Sequence, residues 1–179
     1  IRAGLSRFAG RDLELDDEVY GSETETNLRN QGIAHLLDGY GRMYFDPDAA
    51  TELYTRQCSL LVSAHDLAVM GATLADGGIN PVTGERVIEA HTCKRVLAVL
   101  ATAGLYEHSG DWLYEIGIPG KSGVSGGIVA IAPGKGVCAT QVGTIAVAFT
   151  AAWKETDPIP EDELELRRAR VAAAVVVGV

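Results

Sequence analysis

Apolar positions recur at helical spacing through the first part of the chain and switch to alternation later. Ser22 and Glu25 stand three apart, as in a capping box, ahead of Ile33, Leu36 and Leu37, so the pattern predicts a first helix starting at Ser22 and running through these positions. Asp46-Pro47 supplies an N-cap and a proline at the first helical position, which predicts a second helix carrying Tyr54. Ser63 caps a third predicted helix, and Gly77 ends it in the left-handed conformation that glycine tolerates. Asn80-Pro81-Val82-Thr83-Gly84 reads as a turn. A fourth helix is predicted from Glu89 to Ala103, with Val96, Leu97 and Leu100 on one side and Gly104 at its end. From Trp112 the period falls to two: Trp112, Tyr114, Ile116 and Ile118 alternate with Leu113, Glu115 and Gly117, and strands are expected from there to about Ala148. Helices followed by strands give an α+β class, with no internal repeat.

Composition narrows the field. A chain of 179 residues, 47% of them apolar, has enough material for one domain with a real core. The net charge of −9 leaves no basic stripe to displace phosphate counterions, which argues against nucleic acid and equally against an anionic membrane surface. Three cysteines (Cys58, Cys93 and Cys138) without CxxC or metal spacing favour a reducing compartment, and the cytoplasm is the expectation. His35, His65, His91 and His108 lack metal-ligand spacing, and Gly134-Lys135-Gly136 lacks the remainder of a phosphate loop, so neither metal nor cofactor is expected. The chain opens on Ile1-Arg2-Ala3-Gly4-Leu5 with no initiator Met and no signal-like run, and the expectation is a truncated product. The closing apolar run, Val171 to Val179, is far short of the roughly 20 residues of a membrane span.

Several residues invite chemistry. Glu23 and Asn30 are seven apart, which on one helix brings them within about 20° of the same face and about 10 Å apart along the axis. Leu37 continues that line, so if Leu37 faces the core the polar pair faces inward and needs partners or a ligand. A phenol, ordinarily titrating near ~10, becomes a proton shuttle at neutral pH only beside a cation, and Lys121 is the candidate cation for Tyr54 or Tyr106. Lys121-Ser122-Gly123-Val124 suits a strand lining a pocket, where glycine admits a ligand and the Val124 N–H can point at a developing oxyanion. Plainer readings stand beside these: a solvated helix start, tyrosines packing a ring, and a glycine-rich hairpin with bulges.

Four blocks occur in order. They are Ser22-Glu23-Thr24-Glu25-Thr26-Asn27-Leu28-Arg29-Asn30, Leu53-Tyr54-Thr55-Arg56-Gln57-Cys58-Ser59, the stretch Asp66 to Val87 containing Asn80-Pro81 and Gly84, and Tyr106 to Pro133 containing Lys121-Ser122-Gly123-Val124. Together they resemble the serine-dependent glutaminases, which share the fold of the serine β-lactamases and penicillin-binding proteins, and the likeness runs from roughly residue 12 to 136. The resemblance implies hydrolysis of L-glutamine to L-glutamate and ammonia through an acyl-serine intermediate. It implies that Glu23 meets the substrate α-ammonium and Asn30 its α-carboxylate, that Tyr54 lies against the reacting amide, and that Tyr106 acts as general acid/base. Lys121 becomes an electrostatic element, Ser122 a hydroxyl donor and Val124 an oxyanion donor through its backbone. A homo-oligomer is a further implication.

The family's nucleophile sits in a Ser-x-x-Lys motif, where the lysine takes the serine proton, and no such motif occurs in these 179 residues. The expectation is therefore the C-terminal portion of a glutaminase-like protein, an incomplete domain over 1–150 that does not turn over glutamine alone. A β-lactamase or transpeptidase relative, and a nucleophile-free amino-acid-binding or interaction module, remain as alternatives. After Gly136 the sequence leaves the family pattern, and residues 151–179 form a divergent segment whose Glu161-Asp162-Glu163 and Arg167, Arg168 and Arg170 suit the two ends of a final helix.

Overall fold

The computed structural model describes residues 1–124, 126–141 and 144–149, so the expected final helix and the divergent segment lie outside the described residues. Among the described residues seven α-helices precede a four-stranded antiparallel sheet, and the backbone divides into two compact units.

The first unit comprises Ile1–Ala3 and Leu13–Leu61. It contains α2 (Asp17–Thr26), α3 (Leu28–Gly39) and α4 (Pro47–Cys58). The one helix expected from Ser22 is thus two. α2 begins earlier because the Asp16 carboxylate accepts the Val19 N–H at 3.0 Å, which leaves Ser22 and Glu25 inside the helix rather than at its cap. It ends at Asn27, whose φ of −80° and ψ of 18° turn the chain. Buried Asn27 donates to Thr55 Oγ1 at 3.0 Å and accepts from Gln31 Nε2 at 2.7 Å, a tertiary role that no local pattern announces.

As expected, Asp46 caps α4 and Pro47 opens it. The inner face of α4 is polar: Thr51 and Thr55 are buried and bond back to the carbonyls of Pro47 and Thr51. Tyr20 on α2 donates to Glu52 Oε1 at 2.5 Å while Arg56 Nε reaches the same oxygen at 2.8 Å. Ile33, Leu36 and Leu37 do not enter a core. They are 46%, 59% and 40% exposed, because α3 meets α4 through Ala34, Asn27 and Gln31 instead.

The second unit combines Gly4–Asp12, which holds most of α1 (Arg2–Ala9), with the chain from Val62 onward. It contains α5 (Ala64–Ala75), α6 (Ala90–Ala103), a 3₁₀ turn at Tyr106–His108, α7 (Ser109–Ile116) and strands β1 (Gly120–Ser122), β2 (Ile128–Ala132), β3 (Gly136–Gln141) and β4 (Thr144–Phe149). The strands lie in sequence order, with Lys121 opposite Val129 and Ala130 opposite Cys138. Alternate residues of β2 and β3 enter different clusters. Val129, Ile131, Val137 and Ala139 meet Ala68, Ala72 and Ala75 of α5, whereas Ile128, Ala130 and Cys138 meet Leu105 and Trp112. Apolar cover on both sides explains why Ile128 to Ala132 reads as an unbroken apolar run.

The strand expected from Trp112 to Ile118 is corrected. Residues 109–116 form α7, which buries Ser109 and Trp112, and the Trp112 Nε1–H reaches the Ile118 carbonyl at 2.9 Å. Ser109, Trp112 and Ile116 also fit a helical stripe, so residues 112–116 satisfied both periods, and burial of the indole beside Leu105 and Ile128 selects the helix. The Asn80–Gly84 turn forms as expected. Fully buried Asn80 accepts the amides of Val82 and Thr83 and donates to the carbonyls of Arg7 and Phe8 near the end of α1.

α5 lies very close to the sheet, and a Cβ on Gly71 would stand 2.5 Å from Val137 Cγ2 and 3.0 Å from Val129 Cγ1. Its N-terminus carries the expected Ser63 cap, completed by Asp66 as a capping box. Arg11 holds the buried Asp66 carboxylate with two 2.7 Å bonds. That guanidinium keeps the Asp66 carboxyl well below the usual carboxylate range, aided by the Ser63 amide and hydroxyl and opposed by burial.

Gly71→Val should destabilise the chain by about 2 kcal/mol, since the added methyls meet stiff valine side chains, and the urea midpoint reads the loss. A depressed folded pKa means that Asp66 contributes stability above its unfolded value near ~3.9, lost as pH falls toward the folded value. Asp66→Asn should therefore cost about 2 kcal/mol at pH 7, a buried-pair loss discounted because Arg11 is half exposed. The same substitution should flatten the acid limb of a stability-against-pH curve below about pH 4, and an unchanged acid limb would exclude this role.

Candidate active site

The predicted site residues fall into two groups, one in each unit. In the first unit Asn30 and Tyr54 line a pocket of about 260 Å³ with Ile33, Ala34, Leu37, Met43, Ala50 and Thr51. Its α3 wall is the stripe Asn30, Ile33, Ala34 and Leu37, a helical face readable in the sequence. The leucine and isoleucine expected in a core thus flank an open pocket. Thr51, one turn before Tyr54, was not singled out from sequence, although i,i+3 spacing puts the two on one face. Among the described residues the Asn30 side chain bonds to nothing, which leaves its amide free for a ligand.

Glu23 stands apart. The break at Asn27 puts it on α2 while Asn30 lies on α3, so the shared helical face expected from their spacing does not exist. The Glu23 side chain is exposed and does not line the pocket of Asn30 and Tyr54.

In the second unit Tyr106, Ser122 and Val124 line a pocket of about 350 Å³ together with Glu107 and His108, within the ~300–1,000 Å³ range of small-molecule sites. Glu107 and His108 carried no motif, only adjacency to Tyr106. The Lys121 ammonium lies 5.1 Å from the centre of the Tyr106 ring and also donates to the Ser122 carbonyl. Lysine over an exposed aromatic face contributes about 0.5–1 kcal/mol. Strand β1 ends at Ser122, so Val124 lies in the following turn rather than on the expected strand. Gly123 donates to the Gly127 carbonyl at 2.7 Å across that turn. The Val124 side chain is fully exposed, and among the described residues its N–H has no hydrogen-bond partner.

Backbone geometry brings Tyr106 to this pocket. At φ +54° Tyr106 is the single non-glycine residue with positive φ among the described residues, a conformation costing of order 1–3 kcal/mol. Gly104, one residue before buried Leu105, lets the end of α6 touch β1. The Ser122 N–H bonds the Gly104 carbonyl at 3.2 Å, and a Cβ on Gly104 would lie 1.9 Å from the Gly120 carbonyl oxygen. Contact rather than dihedral freedom requires this glycine, whose φ of −70° is ordinary.

Among the described residues no three His, Cys, Asp or Glu side chains gather as a metal site, and no helix is long and apolar enough to cross a membrane. Cys93 and Cys138 are buried in the packed interior, whereas Cys58 is exposed.

Residues 1–145 match the family model described as Glutaminase. The chain belongs to the glutaminase family. It is 68% identical over 136 residues to the Yersinia pestis protein named Glutaminase 2, covering 76% of this chain and 40% of that protein. A Mycobacterium ulcerans protein named Glutaminase is 55% identical over 135 residues, covering 75% of this chain and 42% of that one. The solved structure of a probable glutaminase, ybaS, superimposes with a TM-score of 0.73 at 41% identity over 94% of this chain and 52% of its own. The α+β glutaminase fold expected from the sequence is thus the fold observed. The chain spans about two-fifths of the length of these curated relatives.

Gly104→Ala should destabilise the chain by about 2 kcal/mol or more, because its Cβ meets backbone rather than a yielding side chain. Denaturation midpoints measure this, and an unaltered midpoint would mean that the α6–β1 contact is slack.

Proposed function

We propose that this chain forms part of a glutaminase, one that hydrolyses L-glutamine to L-glutamate and ammonia, and that it supplies walls of the substrate site rather than the nucleophile. The observation that supports the reading is the second pocket, which Tyr106, Ser122 and Val124 line in a chain of this family, with the Lys121 ammonium over the Tyr106 ring. Within the first unit, the pocket lined by Asn30 and Tyr54 and the family likeness around Glu23 support these three as further substrate contacts.

In this reading a serine hydroxyl from outside these residues attacks the side-chain amide carbon while the lysine of its Ser-x-x-Lys motif takes the serine proton. The Val124 N–H stabilises the oxyanion, and the Tyr106 phenol passes its proton to the leaving nitrogen, so that ammonia departs and an acyl ester remains. Water then attacks the ester, giving its proton to the Tyr106 phenolate, while the lysine returns the serine proton to the departing serine oxygen and glutamate is released. Lys121 contributes its positive charge over the Tyr106 ring. Ser122 donates to the substrate. Reduced cysteines support a cytoplasmic location, and the exposed apolar side chains of α3 support association with further copies. The domain is taken to end near residue 150, just beyond the family match.

The test is a chimera in which residues 1–145 replace the matching stretch of the Yersinia pestis relative. It should release ammonia from L-glutamine, and Tyr106→Phe should lower kcat about 10²- to 10⁴-fold. The 179-residue chain alone should release none. A folded chimera that binds glutamate yet releases no ammonia would replace the enzyme reading with an amino-acid-binding module.

A further inference from the structure

Tyr106 adopts a conformation that a tyrosine does not take unaided, so something must impose it. Ser109 is the group in position to do so. It is buried at 2% exposure, and its Oγ accepts the Leu105 N–H at 3.0 Å while its own hydroxyl hydrogen goes to the Tyr106 carbonyl at 2.7 Å. One hydroxyl therefore bridges the Gly104–Leu105 peptide and the Tyr106–Glu107 peptide, spanning Leu105 and the left-handed residue. The backbone adds its own bonds, since the Ser109 N–H also reaches the Tyr106 carbonyl and the His108 N–H reaches the Leu105 carbonyl at 3.1 Å. These backbone bonds close an ordinary 3₁₀ turn. Only the side chain of Ser109 ties the amide of Leu105 to the carbonyl of Tyr106, a pairing for which a donor and an acceptor on the same atom are needed. The Leu105 side chain is packed beside Trp112 and Ile128, and of the two residues the hydroxyl spans, Tyr106 is the one with positive φ.

We propose that Ser109 is a positioning residue, whose hydroxyl locks Tyr106 in the left-handed conformation that aims the phenol into the pocket shared with Ser122 and Val124. Ser109 does not line that pocket and touches no substrate; it acts through Tyr106. The proposal rests on the glutaminase reading for its consequence in catalysis, while the conformational lock itself stands on geometry alone.

The experiment uses the chimera described above and Ser109→Ala, with Ser109→Thr as the conservative variant that keeps a hydroxyl. In Ser109→Ala, kcat for glutamine should fall about 10- to 100-fold with KM within a factor of about two, as for a misaimed catalytic group. Ser109→Thr should recover most of the loss. Introduced into Tyr106→Phe, Ser109→Ala should change kcat no further, because there is no phenol left to aim. A crystal structure of the Ser109→Ala chimera should have Tyr106 at negative φ with the ring withdrawn from Lys121. Should that variant fail to fold, Ser109→Cys, which matches serine in shape but bonds weakly, takes its place in each measurement. Retention of positive φ at Tyr106, unchanged kcat, or an undiminished effect in the Tyr106→Phe background would each overturn the proposal. An inert chimera with Ser109 intact would instead count against the glutaminase reading, and the crystallographic comparison would still decide the lock.

Discussion

The contact between α5 and the sheet is the constraint from which the second unit follows. Ala68, Gly71, Ala72 and Ala75 present almost no side chain, so the helix lies close enough for Val129 and Val137 to fill the space a larger residue would occupy. The sheet is consequently covered on that side by a helix with no freedom to shift outward. The start of the helix is pinned by the Ser63 and Asp66 capping box and by Arg11, and its end by the 2.8 Å bond from the Gly134 amide to the Ala75 carbonyl. With β2 and β3 held in this way, β1 takes its register on β2, and Lys121 and Ser122 inherit fixed positions.

A second close approach completes the pocket. Gly104 against Gly120 brings the end of α6 onto β1, and the chain must then leave Leu105 and turn back within a few residues to start α7. The strain of that reversal falls on Tyr106. A strained residue between two buried residues, Leu105 and Ser109, has few alternative backbone conformations. Packing here selects the backbone conformation that brings Tyr106 to the pocket wall.

The first unit is organised differently. Asn27, Thr51, Thr55 and Ser59 form a polar seam in which hydroxyls bond back to helix carbonyls, so its helices meet through small and hydrogen-bonding residues. The large apolar residues of α3 are left outward, two of them as walls of the pocket with Asn30 and Tyr54. That arrangement is why reasoning from Leu37 toward a core turned Glu23 and Asn30 inward, while the break at Asn27 is what parts the face their spacing implied. The premise that apolar periodicity marks the core does not hold where the apolar side chains line a binding surface.

What could be read from the chain itself was whatever depends on near neighbours. Asp46 before Pro47, Ser63 three residues before Asp66, Asn80 ahead of Gly84 and the run from Ala90 to Ala103 all appear as expected, because caps and turns are closed by hydrogen bonds across a few residues. The family likeness was equally legible, since Tyr106 and the Lys121 to Val124 segment keep recognisable order and spacing. Tertiary contacts decided the rest. Residues 112–116 suited a helix as well as the expected strand, and the choice fell to the burial of Trp112 against Leu105 and Ile128. The helix break at Asn27 came from its bond to Thr55, 28 residues away, and the left-handed backbone of Tyr106 from glycines and a serine that meet only in the folded chain. Local hydrogen bonding is written in adjacent residues, whereas burial and close approach depend on partners that sequence distance conceals.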